Sequence, residues 1–129
     1  MIRSDPLIAV VDDEASVRTM LGRVLRLANY RVSAFASGED FLASLGAYVP
    51  ACAVVDLHMP GLTGLQVQAQ LRGGKNAVPV VFITASDDVS LDQSVSEAGG
   101  VCLLRKPFSS DELLEAIRVA LSGRAANAP

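Results

Sequence analysis

Short apolar runs alternate with amphipathic stretches along nearly the whole chain, and the alternation repeats five times. Residues 7–11, 51–55, 78–83 and 101–104 are almost continuously small, β-branched or aliphatic, the pattern of strands buried on both faces. Residues 31–35 alternate instead, as an edge strand does. Between these runs the period changes to that of a helix. Val17, Met20, Leu21, Val24, Leu25 and Ala28 recur on one helical face, and Asn29 is a C-terminal stop. Ser37 caps a second helix with Phe41, Leu42 and Leu45 inward, ended by Gly46 and Pro50. Thr63-Gly64-Leu65-Gln66 has capping-box spacing, and Leu65, Val67 and Leu71 mark a third helix that Gly73-Gly74 ends. Ser86 is placed to cap a fourth, beginning at Asp87-Asp88 and closing at Gly99-Gly100. Its apolar residues are only Val89, Leu91, Val95 and Ala98, so its anchorage should be thin and its position soft. Ser109-Ser110-Asp111-Glu112 opens the last helix, with Leu113, Leu114, Ile117, Ala120 and Leu121 inward.

Five strands alternating with five helices predict an α/β fold, a parallel sheet covered on both faces. Right-handed crossovers leave the flavodoxin-like (βα)5 arrangement with strand order 2-1-3-4-5 as the usual solution. Residues 1–123 read as one domain, and 124–129 as a flexible tail or the start of a linker.

Composition narrows the function classes. At 129 residues, half of them hydrophobic, the chain is long enough for one sizeable core. No apolar run reaches the ~18 residues of a membrane span, and the polar start followed by Asp12-Asp13 does not read as a signal peptide, so the cytoplasm is expected. A net charge of −3 without a basic block argues against nucleic-acid binding by this segment. Cys52 and Cys102 lie in apolar runs without metal-ligand spacing and read as small core residues.

The chemistry gathers where strands end. A parallel sheet puts every carboxyl end on one edge, where ligands bind. The first strand delivers Asp12 and Asp13, the third Asp56, the fourth Thr84 and the fifth Lys106. Crowded carboxylates need a cation. Lys106 supplies one, and an all-oxygen donor set suits a hard divalent ion, Mg2+ above others. A carboxylate beside Mg2+, a lysine and a hydroxyl has the parts for phosphoryl transfer. Each residue taken singly has a plainer reading. Asp12 and Asp13 could be caps, Asp56 a turn former, Thr84 a strand terminus and Lys106 a solvated charge. His58, in a turn with no second imidazole, offers its backbone carbonyl more usefully than its ring. It is the coincidence of all of them at one edge that points to a site.

Val10-Val11-Asp12-Asp13-Glu14, Asp56-Leu57-His58-Met59-Pro60-Gly61-Leu62-Thr63-Gly64, Ile83-Thr84-Ala85 and Lys106-Pro107-Phe108 stand in an order and spacing that resembles the receiver domain of bacterial two-component response regulators. The likeness covers about residues 6–122, and Met-Pro-Gly-Leu-Thr-Gly looks most like the NarL/FixJ-type branch. The resemblance implies that Asp56 accepts a phosphoryl group from a histidine kinase or phosphotransfer protein. It implies Mg2+ on Asp13, Asp56 and the His58 carbonyl oxygen, with Asp12 acting through water. Thr84 and Lys106 would each hold a phosphoryl oxygen, and Lys106-Pro107 would be cis. Thr84 would move inward and shift the face made by the fourth helix, fifth strand and fifth helix, which would meet an effector or a second receiver. The first helix, near Ala15 and Thr19, would dock the kinase. The resemblance also implies that His58 and Ser86 stand at positions that tend to tune dephosphorylation. Where the family often has an aromatic switch residue, this chain has Leu103, which leaves that coupling in question.

The implied activity is a switch rather than a turnover enzyme, with weak self-catalysed phosphorylation and dephosphorylation. Three alternatives fit less well. A haloacid-dehalogenase-like phosphohydrolase wants an Asp where His58 stands, and a cap domain. A flavodoxin wants a Ser/Thr-rich phosphate loop where Asp12-Asp13-Glu14 would repel phosphate. A phosphorylation-independent interaction module would be expected to lack one of the site residues, and all are present.

Overall fold

The strands β1 (Leu7–Val11), β2 (Arg31–Phe35), β3 (Cys52–Asp56), β4 (Val80–Thr84) and β5 (Cys102–Arg105) form one parallel sheet in the order β2-β1-β3-β4-β5. The helices between and after them are α1 (Ala15–Leu27), α2 (Gly38–Ser44), α3 (Gly64–Gly73), α4 (Ser90–Glu97) and α5 (Ser110–Ala126). This is the fold the alternation predicts, seen in a computed structural model that describes residues 5–74 and 77–126.

Period-2 geometry splits each strand between two cores. Ala9, Val11, Ala53, Val55, Val80 and Phe82 face α2, α3 and α4, where Phe41, Val67, Leu71 and Val95 cover them. Ile8, Val10, Cys52, Val54, Val81 and Ile83 face α1 and α5, against Leu21, Leu25, Leu113 and Ile117. β3 and β4 are buried along their whole length, whereas the edge strands β2 and β5 are only partly covered. Cys52 is a buried thiol in β3, as expected of a small core residue, whereas the Cys102 thiol on the edge strand β5 is only partly covered.

Helix ends follow local chemistry in most places. Ser37 accepts from the Asp40 N–H and opens α2. Thr63 and Gln66 form the full capping box of α3, at 3.3 and 2.9 Å. Ser109 and Glu112 do the same for α5. Asn29 takes φ +71 just past α1. Thr63→Ala should cost about 1 kcal/mol in a urea melt, the usual worth of such a cap.

Four readings need correction. Met20, expected inward, is 41% exposed. It lies about 100° of helical rotation from Leu21, outside the stripe that a helix buries on a sheet. The fourth helix starts at Ser90 rather than near Asp87, because the Ser86 hydroxyl is spent inside the loop on the Asp88 N–H. The third, fourth and fifth strands each run one residue further than expected and include Asp56, Thr84 and Arg105, and the fourth begins at Val80 rather than Val78. The last helix continues past Gly123 to Ala126, since alanine favours helix strongly enough to outweigh one glycine. Residues 127–129 of the expected tail lie outside the described residues. The thin anchorage expected of α4 is present: Val95 is its buried residue, with Leu91 partly covered, while Val89 just before it is 82% exposed.

Candidate functional site at the carboxyl edge

The register of the sheet builds the site. Val11 pairs with Val55, so the next residues, Asp12 and Asp56, leave neighbouring strands side by side. Asp56 pairs with Ile83, and Thr84 follows one residue further on the adjacent strand. Thr84 pairs in turn with Arg105, and the Lys106 N–H donates to the Thr84 carbonyl at 2.7 Å. Lys106-Pro107 is cis.

Asp12 is fully buried and Asp56 is 4% exposed. Each carboxylate is held by a backbone donor two residues on: the Glu14 N–H reaches Asp12 Oδ1 at 2.8 Å, and the His58 N–H reaches Asp56 Oδ1 at 3.0 Å. Their other oxygens share one cation. Lys106 Nζ stands 3.2 Å from Asp12 Oδ2 and 3.1 Å from Asp56 Oδ2. Burial raises the Asp12 carboxyl above its ordinary range. The Glu14 N–H works against that, the Asp56 charge adds to it, and Lys106 offsets part. For Lys106, burial pulls the ammonium down, but its contacts with Asp56 and Asp12 outweigh this and hold it above the usual lysine value. It is therefore charged at any physiological pH.

Asp13 is exposed at the rim. Oxygens of Asp12, Asp13 and Asp56 all lie within 4.8 Å of one another. Three carboxylates with one ammonium leave a net negative pocket of hard oxygen donors, and the exposed Asp13 gives a hydrated ion a way in. These residues fit Mg2+, which keeps part of its water shell. Thr84, fully buried, presents Oγ1 to the Ser86 N–H at 3.1 Å. Leu103 is partly buried beside Phe82 on the α4 side of the sheet.

Some contributors were not visible in the pattern. Arg18 of α1 donates to the Asp12 carbonyl at 2.7 Å, fixing the turn that carries Asp12-Asp13. Glu14 reaches Lys106 at 3.7 Å from the rim. Arg105 grips the start of α4. Gly64 has a sequence signal, the Thr-Gly after the turn, but its reason is spatial. A Cβ there would meet the Asp56 carbonyl oxygen at 2.5 Å and Leu57 Cα at 2.9 Å. The first turn of α3 thus rests directly on the backbone that carries Asp56. Gly64→Ala should cost roughly 1–3 kcal/mol by overpacking against that backbone and weaken Mg2+ binding with it, read by thermal unfolding with and without the ion.

Comparison with known proteins agrees with the geometry. The response regulator receiver domain profile matches residues 8–118. The response regulator protein TmoT of Ectopseudomonas mendocina is 33% identical over 117 residues, covering 91% of this chain and 53% of that protein. The response regulator MprA of Mycobacterium tuberculosis is 39% identical over 114 residues, covering 88% and 50%. The chain thus spans about half the length of the curated relatives it matches. Among solved structures, FixJ-N superposes with a TM-score of 0.86 at 32% identity, covering 93% of this chain and 96% of that one. A CheY-like receiver from Methanospirillum hungatei, 20% identical with a TM-score of 0.88 over 97% of this chain and 100% of that one, shows the shared fold. With its fold, its acidic edge and its relatives in agreement, the chain belongs to the response regulator receiver domain family, whose general function is phosphorylation-dependent switching in two-component signalling.

Proposed function

We propose that Asp56 is the phosphoacceptor of this receiver, and that a histidine kinase or a histidine phosphotransfer protein supplies the phosphoryl group. The observation that carries this is the setting of Asp56: a nearly buried carboxylate at the lip of the sheet, oriented by the His58 N–H and charge-compensated by Lys106. A carboxylate oxygen of Asp56 attacks phosphorus. The P–N bond of the phosphoimidazole breaks, and its electron pair returns to the ring, which takes up a proton. The product is an aspartyl phosphate. Asp13 and Asp56, with the His58 carbonyl and with Asp12 through water, would hold Mg2+, which would supply positive charge to offset that on the phosphoryl oxygens. Lys106 and the Thr84 hydroxyl would each take one phosphoryl oxygen. The same groups allow slow self-phosphorylation from small donors and slow hydrolysis.

The new charge would draw Thr84 and the following loop toward Asp56. Because α4 buries little, a few kcal/mol of differential contact suffices to shift its population. The face of α4, β5 and α5 would then present its altered form to an effector or to a second receiver. The kinase reaction would take place in the cytoplasm, as is consistent with the family.

The test is intact-protein mass after incubation with a small phosphodonor, with and without Mg2+. One phosphoryl adduct that needs Mg2+ is expected; no adduct in a folded sample would remove the proposal. Mg2+ alone should also stabilise the fold, by about 1.4 kcal/mol at ten times its Kd. Asp13→Asn should erase most of that gain in a thermal melt.

A further inference from the structure

We infer that Arg105 is a latch that holds the N-terminal end of α4 in its unphosphorylated position, while the C-terminal end of the same helix is a fixed pivot. The inference deepens the reading of Asp56 and Thr84 given above and rests on it for the switching step.

The two ends of α4 are tied by different means. At the C-terminal end, Gln68 Nε2 and Arg72 Nη1 of α3 both donate to the Ala98 carbonyl, at 3.1 and 3.0 Å. The Gly100 N–H closes on the Val95 carbonyl at 2.9 Å, and the next residue joins the sheet edge through the Val101 N–H to the Val80 carbonyl at 2.8 Å. A Cβ on Gly100 would lie 2.7 Å from both Phe82 and Val95, so this end is closely packed against the sheet. At the N-terminal end, Val89 is 82% exposed and Leu91 is only partly covered, so apolar anchorage is thin. The polar tie between that end and the sheet is a guanidinium. Arg105 Nη2 donates to the Asp88 carbonyl at 2.7 Å and pairs with Asp92 at 3.0 Å. Its side chain is about one-third exposed, so the grip is polar and breakable.

The latch is wired to the site from both sides. Arg105 pairs with Thr84 in the sheet and directly precedes Lys106. From Thr84 a relay of short bonds runs along the loop. The Ser86 N–H donates to Thr84 Oγ1, the Asp88 N–H to Ser86 Oγ, and the Ser90 N–H to Asp88 Oδ1, at 3.1, 3.1 and 2.9 Å. The Thr84 hydroxyl can keep accepting from Ser86 while its own proton turns to a phosphoryl oxygen. If Thr84 moves toward Asp56, the relay pulls Asp88 with it, and the Asp88 carbonyl must leave Arg105. The helix then swings about Ala98. Arg105 lies two residues beyond Leu103 on β5, and its guanidinium carries this coupling. By reciprocity, a contact that opposes the switched state also opposes phosphorylation.

The test compares wild type, Arg105→Ala and Arg105→Lys, full chain, by amide hydrogen exchange without phosphodonor, then by affinity for beryllofluoride in Mg2+. In Arg105→Ala, exchange over residues 86–93 should rise about five- to tenfold, and beryllofluoride affinity by a similar factor. Amides of residues 95–101 and the melting temperature should stay as they are. Arg105→Lys, which keeps the charge but cannot fork to two partners, should lie between. Unchanged exchange over 86–93 would overturn the latch. So would a uniform rise over the whole helix with a lowered melting temperature, which is loss of packing, or faster exchange with unaltered beryllofluoride affinity. If wild type itself fails to bind beryllofluoride, the phosphoacceptor reading fails, and the contrast between the two helix ends still decides the pivot.

Discussion

Asp56→Asn should form no phosphoryl adduct while remaining folded. The amide keeps the size of the carboxylate and its oxygen can still accept from the His58 N–H, so the strand end loses little shape. It lacks the nucleophilic anion, which no neighbour replaces: Asp12 is fully buried and already engaged by the Glu14 N–H and Lys106, and Asp13 stands at the exposed rim. Removing the Asp56 charge also removes one of the causes that raise the Asp12 carboxyl. Stability without Mg2+ should therefore change by no more than about 1 kcal/mol, the cost of a lost charged contact being offset by relief of repulsion. The Mg2+-dependent gain in melting temperature should shrink. Mass spectrometry and a thermal melt on the same sample separate the two effects.

Lys106→Met should have the second largest effect, and on both properties at once. Methionine fills the space of the aliphatic stem but leaves Asp12 and Asp56 without their shared ammonium, at 3.2 and 3.1 Å in the wild type. Breaking a buried pair from one side costs about 3–5 kcal/mol, and the partly open rim should bring the loss here to about 2 kcal/mol. Mg2+ should recover much of it by replacing the missing positive charge. Phosphoryl transfer from a small donor should fall roughly 10²-fold, as for removal of one preorganised group that stabilises charge.

The pH dependence carries a sign that can be checked. Burial, with help from Asp56, raises Asp12 above its ordinary 3.8, so the folded state binds that proton more tightly than the unfolded chain does. Ionising Asp12 therefore costs stability as pH rises through the window above 3.8. Without Lys106 the cost grows, so the deficit of Lys106→Met should narrow as pH is lowered from 7 toward that window. Above neutrality the deficit should be flat. Lys106 is held above its ordinary 10.5, and its contribution is lost only as pH rises beyond that value. Urea melts of both proteins across this range read the difference directly.

Much of this was legible because the signals are local and repeated. The period of two in the strands and 3.6 in the helices gave the layers, and parallel topology alone places Asp12, Asp56, Thr84 and Lys106 at one edge. Capping boxes at Thr63 and Ser109 are written in four consecutive residues each, and they stand where expected. Ser86 shows where local chemistry misleads. It has the side chain of a cap, but nested turns through Thr84, Asp88 and Ser90 use it, and the helix waits until Ser90. Met20 failed for a different reason, since a period marks an apolar face but not how wide a stripe the sheet will cover. Gly64 and Arg105 were beyond reach. The close approach of a helix to the Asp56 backbone, and a guanidinium spanning from β5 to the loop before α4, exist only once distant segments are packed together.

The identity of the acceptor is the claim on which the rest depends. The most direct measurement is reductive trapping: phosphorylate the wild-type chain with a small donor in Mg2+, reduce the acyl phosphate with borohydride, digest and sequence the peptides by mass. The expected result is conversion of the Asp56 side chain to the corresponding alcohol, homoserine, in the peptide spanning residues 52–60, with Asp12 and Asp13 unmodified. Trapping at Asp12, Asp13 or any other carboxylate, with Asp56 intact, would contradict it.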